Sequence, residues 1–143
     1  MTVTVRATED LAACHALRRA VFIDEQSIPE AEEWDDLDAA ALHLLALDDG
    51  IPVGTARLLV GEGTGRIGRI CVLPSHRGTG LGAALVREGI ARLTADPAVR
   101  GIALSAQEYA IPFYERLGFV PRGDSYDDAG IPHRDMVLEC AAL

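Results

Sequence analysis

Arg77, Gly78, Gly80 and Gly82 stand together between an apolar run and a helix-period pattern. The run is Ile70, Cys71, Val72 and Leu73, β-prone and stopped by Pro74. The pattern begins at Leu81 and continues through Leu85, Val86, Ile90 and Leu93. A strand, a glycine-rich bend and a helix start make an anion site. The first helical N–H groups have no intrahelical partner and carry partial positive charge. Glycines let an oxygen-rich ligand approach the backbone, and Arg77 adds a fork of donors suited to phosphate.

All thirteen basic residues are arginine. Without lysine there is neither a Walker-type phosphate loop nor Schiff-base chemistry, so any phosphate grip comes from arginine and backbone N–H groups. Gly63-Thr64-Gly65-Arg66-Ile67-Gly68 spells the dinucleotide fingerprint, but it runs into a β-prone segment instead of opening a helix, which excludes that reading. His15, His43, His76 and His133 are scattered, and Cys14-His15 has no second pair at zinc spacing, so no metal is expected. Cys71 lies mid-strand with nothing to lower its pKa, which speaks against a nucleophile.

Composition narrows the setting. The chain of 143 residues is expected to form a single domain over 1–143. A formal charge of −9 argues against a nucleic-acid partner. No apolar run approaches the roughly 20 residues of a membrane span, and the N-terminus lacks signal-peptide features. Cys14, Cys71 and Cys140 are odd in number and far apart, as expected of reduced core thiols in a cytoplasmic protein.

The elements that position these residues follow from periodicity. Val3 and Val5 alternate as a first strand, and Thr8 is expected to cap a helix reaching about residue 23. Residues 24–38 hold eight acids and no base, read as a solvated loop or short helix, or alternatively as a lip attracting a cationic amine. Leu42–Leu47 and Ile51–Val60 form a hairpin about Asp49-Gly50, with Gly54 marking a bulge or close approach. Asp96-Pro97 ends the central helix, and Gly101–Ser105 is a buried strand. A short helix over 108–117 closes at Gly118. Phe119-Val120 starts a strand, a polar turn follows, and His133–Glu139 is the last strand. The class is α+β, built on one mixed sheet.

Arg77, Gly80 and Gly82 occupy the fixed positions of a pattern Gln/Arg-x-x-Gly-x-Gly/Ala, which resembles motif A of the GNAT N-acetyltransferases. Tyr114-x-x-x-Gly118-Phe119 matches a second element of that family, in the expected order. Together with Val21–Pro29, the acidic run before His43, Gly68-Arg69, the Ala106-Gln107 pair and Gly130–Met136, they make the chain similar to the ElaA-like branch. The resemblance implies the acyl-CoA N-acyltransferase fold: a mostly antiparallel sheet of roughly six to seven strands, splayed in the middle and flanked by about four helices. It implies acetyl-CoA as cosubstrate, its pyrophosphate held by Arg77, Gly78, Thr79, Gly80, Leu81 and Gly82. Ile70, Cys71 and Val72 would pair with the pantetheine arm, and their backbone N–H groups would polarise the thioester. Gln107 stands where the family commonly has Asn. Tyr114 would protonate the departing thiolate.

The implied reaction is direct acetyl transfer to the primary amine of a small acceptor in a ternary complex. The fourth strand, where many relatives carry a glutamate base, offers no carboxylate; His133, Asp35, Glu25 and His43 are the candidates for base or acceptor contact. The acidic run tilts the acceptor toward a cationic amine. A CoA-binding module without transfer activity, serving as sensor or partner subunit, is the alternative. Monomer and homodimer both remain open.

Overall fold

The computed structural model describes residues 3–139; Cys140 lies outside them. In chain order the elements are β1 (Val3–Thr8), α1 (Leu11–Arg18), α2 (Glu30–Glu33), β2 (Leu42–Asp48), β3 (Ile51–Gly61), β4 (Thr64–Val72), α3 (Leu81–Thr94), β5 (Gly101–Gln107), α4 (Ile111–Glu115), β6 (Val120–Asp128) and β7 (Ile131–Glu139). The seven strands form one sheet in the order β1-β2-β3-β4-β5-β7-β6. Only β4 and β5 run parallel. This is the mixed, mostly antiparallel α+β sheet that the sequence implies.

Two cores sandwich the sheet. On one face α3 presents Leu81, Leu85, Val86 and Leu93 to Leu58 and Ile67 of the strands. On the other, α1 and the turn after it bury Cys14, Leu17, Val21 and Phe22 against Leu45 and Leu47. Each large apolar side chain so buried contributes about 1.5–3 kcal/mol of transfer free energy.

Local chemistry corrects the expected boundaries. Asp10, not Thr8, caps α1, accepting from the Ala13 N–H at 3.1 Å; Thr8 ends β1 and its hydroxyl accepts from the Asp10 N–H. The helix does not run regularly to residue 23. Beyond Arg18 it widens into a π-helical turn, Arg19–Glu25. The segment 108–117 divides into a 3₁₀ turn, Glu108–Ala110, and α4. The polar stretch after Val120 is mostly strand. β6 runs to Asp128, interrupted by a bulge between Arg122 and Tyr126, and turns at Ala129-Gly130. Pairing with β7 holds it, so an exposed edge strand needs no apolar alternation. The Asp49-Gly50 turn has φ of 49° and 84°, the two positive values of a type I′ hairpin.

The expected irregularity at Gly54 is present. β2 and β3 slip register beside it, and a Cβ there would sit 3.1 Å from the Cys71 carbonyl and from Leu85. The false dinucleotide fingerprint becomes the β3–β4 turn and the start of β4.

One further irregularity shapes the molecule. Thr55 pairs with Cys71 but Arg57 with Gly68, so β4 carries an extra residue, and Arg69 sits there at φ 46°. β4 and β5 pair only from Thr64↔Gly101 to Arg66↔Ala103 and then part. A bulge bends its strand and ends regular pairing. The sheet is split into a V at its centre.

Candidate active site

The V is lined from both strands. One mouth, a cavity of about 110 Å³, is bordered by Ile70, Gln107, Tyr114 and His133, with Phe22 and Gln26 from the α1 side. The other, about 270 Å³, is bordered by Arg57, Arg66, Asp128 and again His133. Both mouths share Gly68, Arg69 and Ser105. The cleft therefore opens two ways around one set of central residues.

Beyond the V comes the anion loop. Gly80 caps α3 with φ 85°, Gly78 has φ 77°, and no side chain caps the helix. A Cβ at either glycine would meet nothing within 4 Å, so backbone conformation, not space, demands glycine there. Thr79 donates its hydroxyl to the His76 carbonyl at 2.6 Å. His76 donates from Nε2 to Asp48 at 2.7 Å, tying the loop to the β2–β3 hairpin. Arg77 donates from Nε to the Val72 carbonyl at 3.0 Å and from both terminal nitrogens to Glu25 at 2.6 Å. Glu25 thus holds the guanidinium in a two-pronged ion pair beside the loop. Its own carboxyl is pulled below the usual range, chiefly by that hydrogen bond.

The strand edge supplies the next group. The Leu73 N–H bonds the Val53 carbonyl at 2.9 Å, facing β3. By alternation Val72 faces the open side, where its carbonyl meets Arg77. The backbone of β4 beyond Arg66 is thus available to an extended ligand. Cys71 is buried, and burial pushes its thiol up to about 12. It is a core residue, not an acyl carrier.

Tyr114 projects from α4 into the smaller mouth, with Phe113 and Phe119 edge-on to its ring. Its hydroxyl makes no hydrogen bond among the described residues. Burial, reinforced by Tyr109, pushes its pKa up to about 12, which keeps the phenol protonated at neutral pH. The segment after it, where Phe119 N–H bonds the Tyr114 carbonyl and Gly118 takes φ 101°, fixes the end of α4.

His133 lies opposite Gln107 on β5 and Tyr126 on β6. Its Nδ1 donates to the Ile131 carbonyl at 2.7 Å. A carbonyl only accepts, so the neutral ring keeps its lone pair on Nε2. Gln107 donates its amide to Gln26 at 2.9 Å. The neighbours Glu25 and Gln26 thereby span the cleft, one reaching the loop after β4 and the other the end of β5.

The other expected acceptor contacts lie elsewhere. His43 is buried and bonds the Asp38 carbonyl at 2.9 Å. Asp35 pairs with Arg57 at 2.8 Å. Five of the eight acids in the run, Glu25, Glu30, Glu33, Asp35 and Asp38, are paired, with Arg77, Arg19, Arg18 and Arg57 among their partners, while Asp24, Glu32 and Asp36 are exposed. Arg18 is 1% exposed and bonds Glu33 at 2.9 Å and Asp38 at 2.9 Å. Burial opposes ionisation of Asp38, but hydrogen bonds from Arg18, His15 and Arg57 outweigh it and hold the carboxyl far below its usual range. Glu33 and Asp38 serve a buried ionic network around Arg18, whereas the pairs of Glu25 and Glu30 lie at the surface.

Sequence reasoning gave no site role to Arg69, Ser105, Tyr126 or Asp128. Tyr126 donates to Asp135 at 2.7 Å and also meets the Ser105 hydroxyl. Arg69 had a signal, a charged residue inside a β-prone apolar run. Among the described residues no three His, Cys, Asp or Glu side chains are grouped to hold a metal, and no helix is long and apolar enough to cross a membrane.

A strand pair splayed beside an uncapped, glycine-bounded helix defines the class. Residues 7–140 match the family model of the acetyltransferase (GNAT) domain, and the chain belongs to this family. It is 37% identical over 138 residues to an uncharacterized N-acetyltransferase of Bacillus subtilis, YjcF, covering 96% of this chain and 98% of that one. Its structure is similar to an acyl-CoA N-acyltransferase from Pseudomonas aeruginosa, with a TM-score of 0.84, 33% identity, and 96% and 98% of the two chains covered. It is also similar to Escherichia coli ElaA, with a TM-score of 0.82, 26% identity, and 96% and 100% covered. The protein is an acyl-CoA-dependent acetyltransferase with the fold of that family.

Proposed function

We propose that the protein moves an acetyl group from acetyl-CoA directly to the primary amine of a small acceptor while both are bound. The observation that carries this is the double opening of the β4–β5 cleft around shared central residues. The smaller mouth leads toward Tyr114, on the same side as the anion loop's ties to Glu25; the larger one admits the acceptor. Pyrophosphate would lie on the backbone of Gly78–Gly82 with Arg77 beside it, and the pantetheine along Ile70, Cys71 and Val72.

The amine nitrogen attacks the acetyl carbonyl carbon, forming a C–N bond as the C–S bond breaks. Backbone N–H groups of β4 stabilise the developing oxyanion. Nε2 of His133 takes the amine proton, directly or through a water. Tyr114 delivers its proton to the departing thiolate, and its burial keeps that proton in place until then. The test is initial-rate kinetics of CoA release against a panel of primary amines. Intersecting double-reciprocal lines, and a rate that falls in Tyr114→Phe, are expected. Parallel lines would contradict direct transfer. Tight acetyl-CoA binding without turnover on any amine would favour a binding module.

A further inference from the structure

Among the described residues, Arg69 is the one charged side chain that both mouths of the cleft share, and its charge is poorly met. It sits at the bulge of β4, its side chain 27% exposed and its guanidinium 4.3 Å above the Phe22 ring. Its nearest anion is Glu33, at 3.4 Å, but the short bond of Glu33 goes to Arg18 at 2.9 Å. Arg69 makes no hydrogen bond among the described residues, and its buried Nε has no partner. A guanidinium offers five donors, and a buried unpaired one is costly.

The surroundings add to the deficit. Arg57 and Arg66 also border the larger mouth, against one carboxylate, Asp128. Asp35 and Asp38 answer Arg57, but Arg66 makes no ion pair among the described residues. Burial, with Arg18 and Arg57 nearby, disfavours the charged form of Arg69 while Glu33 and Asp128 favour it. An overall acidic chain thus presents a cationic patch at the point where the acceptor enters.

We infer that Arg69 binds a carboxylate of the acceptor, making the substrate an amino acid or a similar small amine that carries an acid group. This rests on the acetyltransferase reading above and names the acceptor class for that same cleft. In an amino acid the amine lies within two or three bonds of the carboxylate carbon. A carboxylate on Arg69 therefore holds the nitrogen near Ile70 and Cys71, where the thioester would be, and beside His133. Asp128 borders the same cavity and suits the ammonium group before it loses its proton. Planar, two-pronged recognition of a carboxylate is what arginine does better than lysine.

The test uses the CoA-saturated protein and a panel of N-acetylated amino acids, each paired with its carboxamide, titrated by calorimetry. In parallel, CoA release is measured with the free amino acids and their amides. Wild type should favour the acid over the amide, and Arg69→Gln should lose roughly 10- to 100-fold on the acids alone, the scale of a charged hydrogen bond. Arg69→Lys should retain part of the preference, and acetyl-CoA affinity should be unchanged in both, which certifies the fold. Equal binding of acid and amide by wild type, or equal loss on both in Arg69→Gln, overturns the inference. Turnover in which wild type handles carboxylate-free amines as well as the acids would leave the transferase standing and remove this acceptor class. Preference for the acid in binding, with no turnover of any amine, would do the reverse.

Discussion

Glu25 and Arg77 stand 52 residues apart and meet through two hydrogen bonds of 2.6 Å each. The carboxylate comes from the end of the π-helical turn, the guanidinium from the loop proposed to receive phosphate. The pair neutralises the loop's cation, so a phosphate bound there as proposed would have to displace Glu25 to use it. Glu25→Gln should therefore tighten acetyl-CoA binding, by about two- to fivefold, because both partners are partly exposed and such pairs are weak. Arg77→Ala should weaken it, and high salt should shrink both effects. Calorimetry at two salt concentrations measures them.

Tyr114→Phe should lower kcat by about 10²–10⁴-fold, the usual worth of a positioned proton donor, and leave acetyl-CoA affinity unchanged. The phenol, pushed up to about 12, stays protonated from neutral pH to about pH 10. Any alkaline fall in rate below that point must come from another group. A pH–rate profile tests this.

Cys71 should resist iodoacetamide at pH 8 in the folded protein and react on unfolding, since burial pushes its thiol up to about 12. The sign of the linked effect is fixed. A thiol whose folded pKa lies above its unfolded value of about 8.5 contributes stability that is full below the lower value. That stability is lost as pH rises toward about 12. Cys71→Ala should flatten the fall in Tm measured between pH 8 and pH 11.

The Arg18–Glu33–Asp38 network should fail by removal of one member. Glu33→Gln leaves Arg18 buried and undercompensated, at a cost of about 3–5 kcal/mol in urea unfolding. Asp38 acts through pH with the opposite sign to Cys71. Its folded pKa is depressed, so its contribution is present above about pH 4 and lost as the solution is acidified. Asp38→Asn should reduce the acid dependence of Tm.

The parts legible in the sequence are those written in local patterns. Gly78 and Gly80 announce positive φ before a helix, Asp49-Gly50 announces a hairpin, and alternation marks the strands. Tyr114 was legible because its motif carries it to the end of a short helix beside the cleft. The charged contacts were not. Residues 24–38 read as a free acidic face because their arginine partners, Arg18, Arg57 and Arg69, lie on other elements. Periodicity cannot show a partner brought in by sheet topology. Arg69, named only as part of the resemblance, was given no site role for a related reason: the bulge that turns it into the cleft depends on its register against Thr55 and Arg57. The continuation of β6 beyond its start at Val120 was missed because its polar residues are held by pairing with β7, not by an apolar face.

The central claim, that the β4–β5 cleft and the loop beside it hold acetyl-CoA, is tested most directly by titrating acetyl-CoA into the protein by calorimetry. One site per chain is expected, with affinity reduced in Arg77→Ala and preserved in Tyr114→Phe. An absence of binding, or binding indifferent to Arg77, would contradict it.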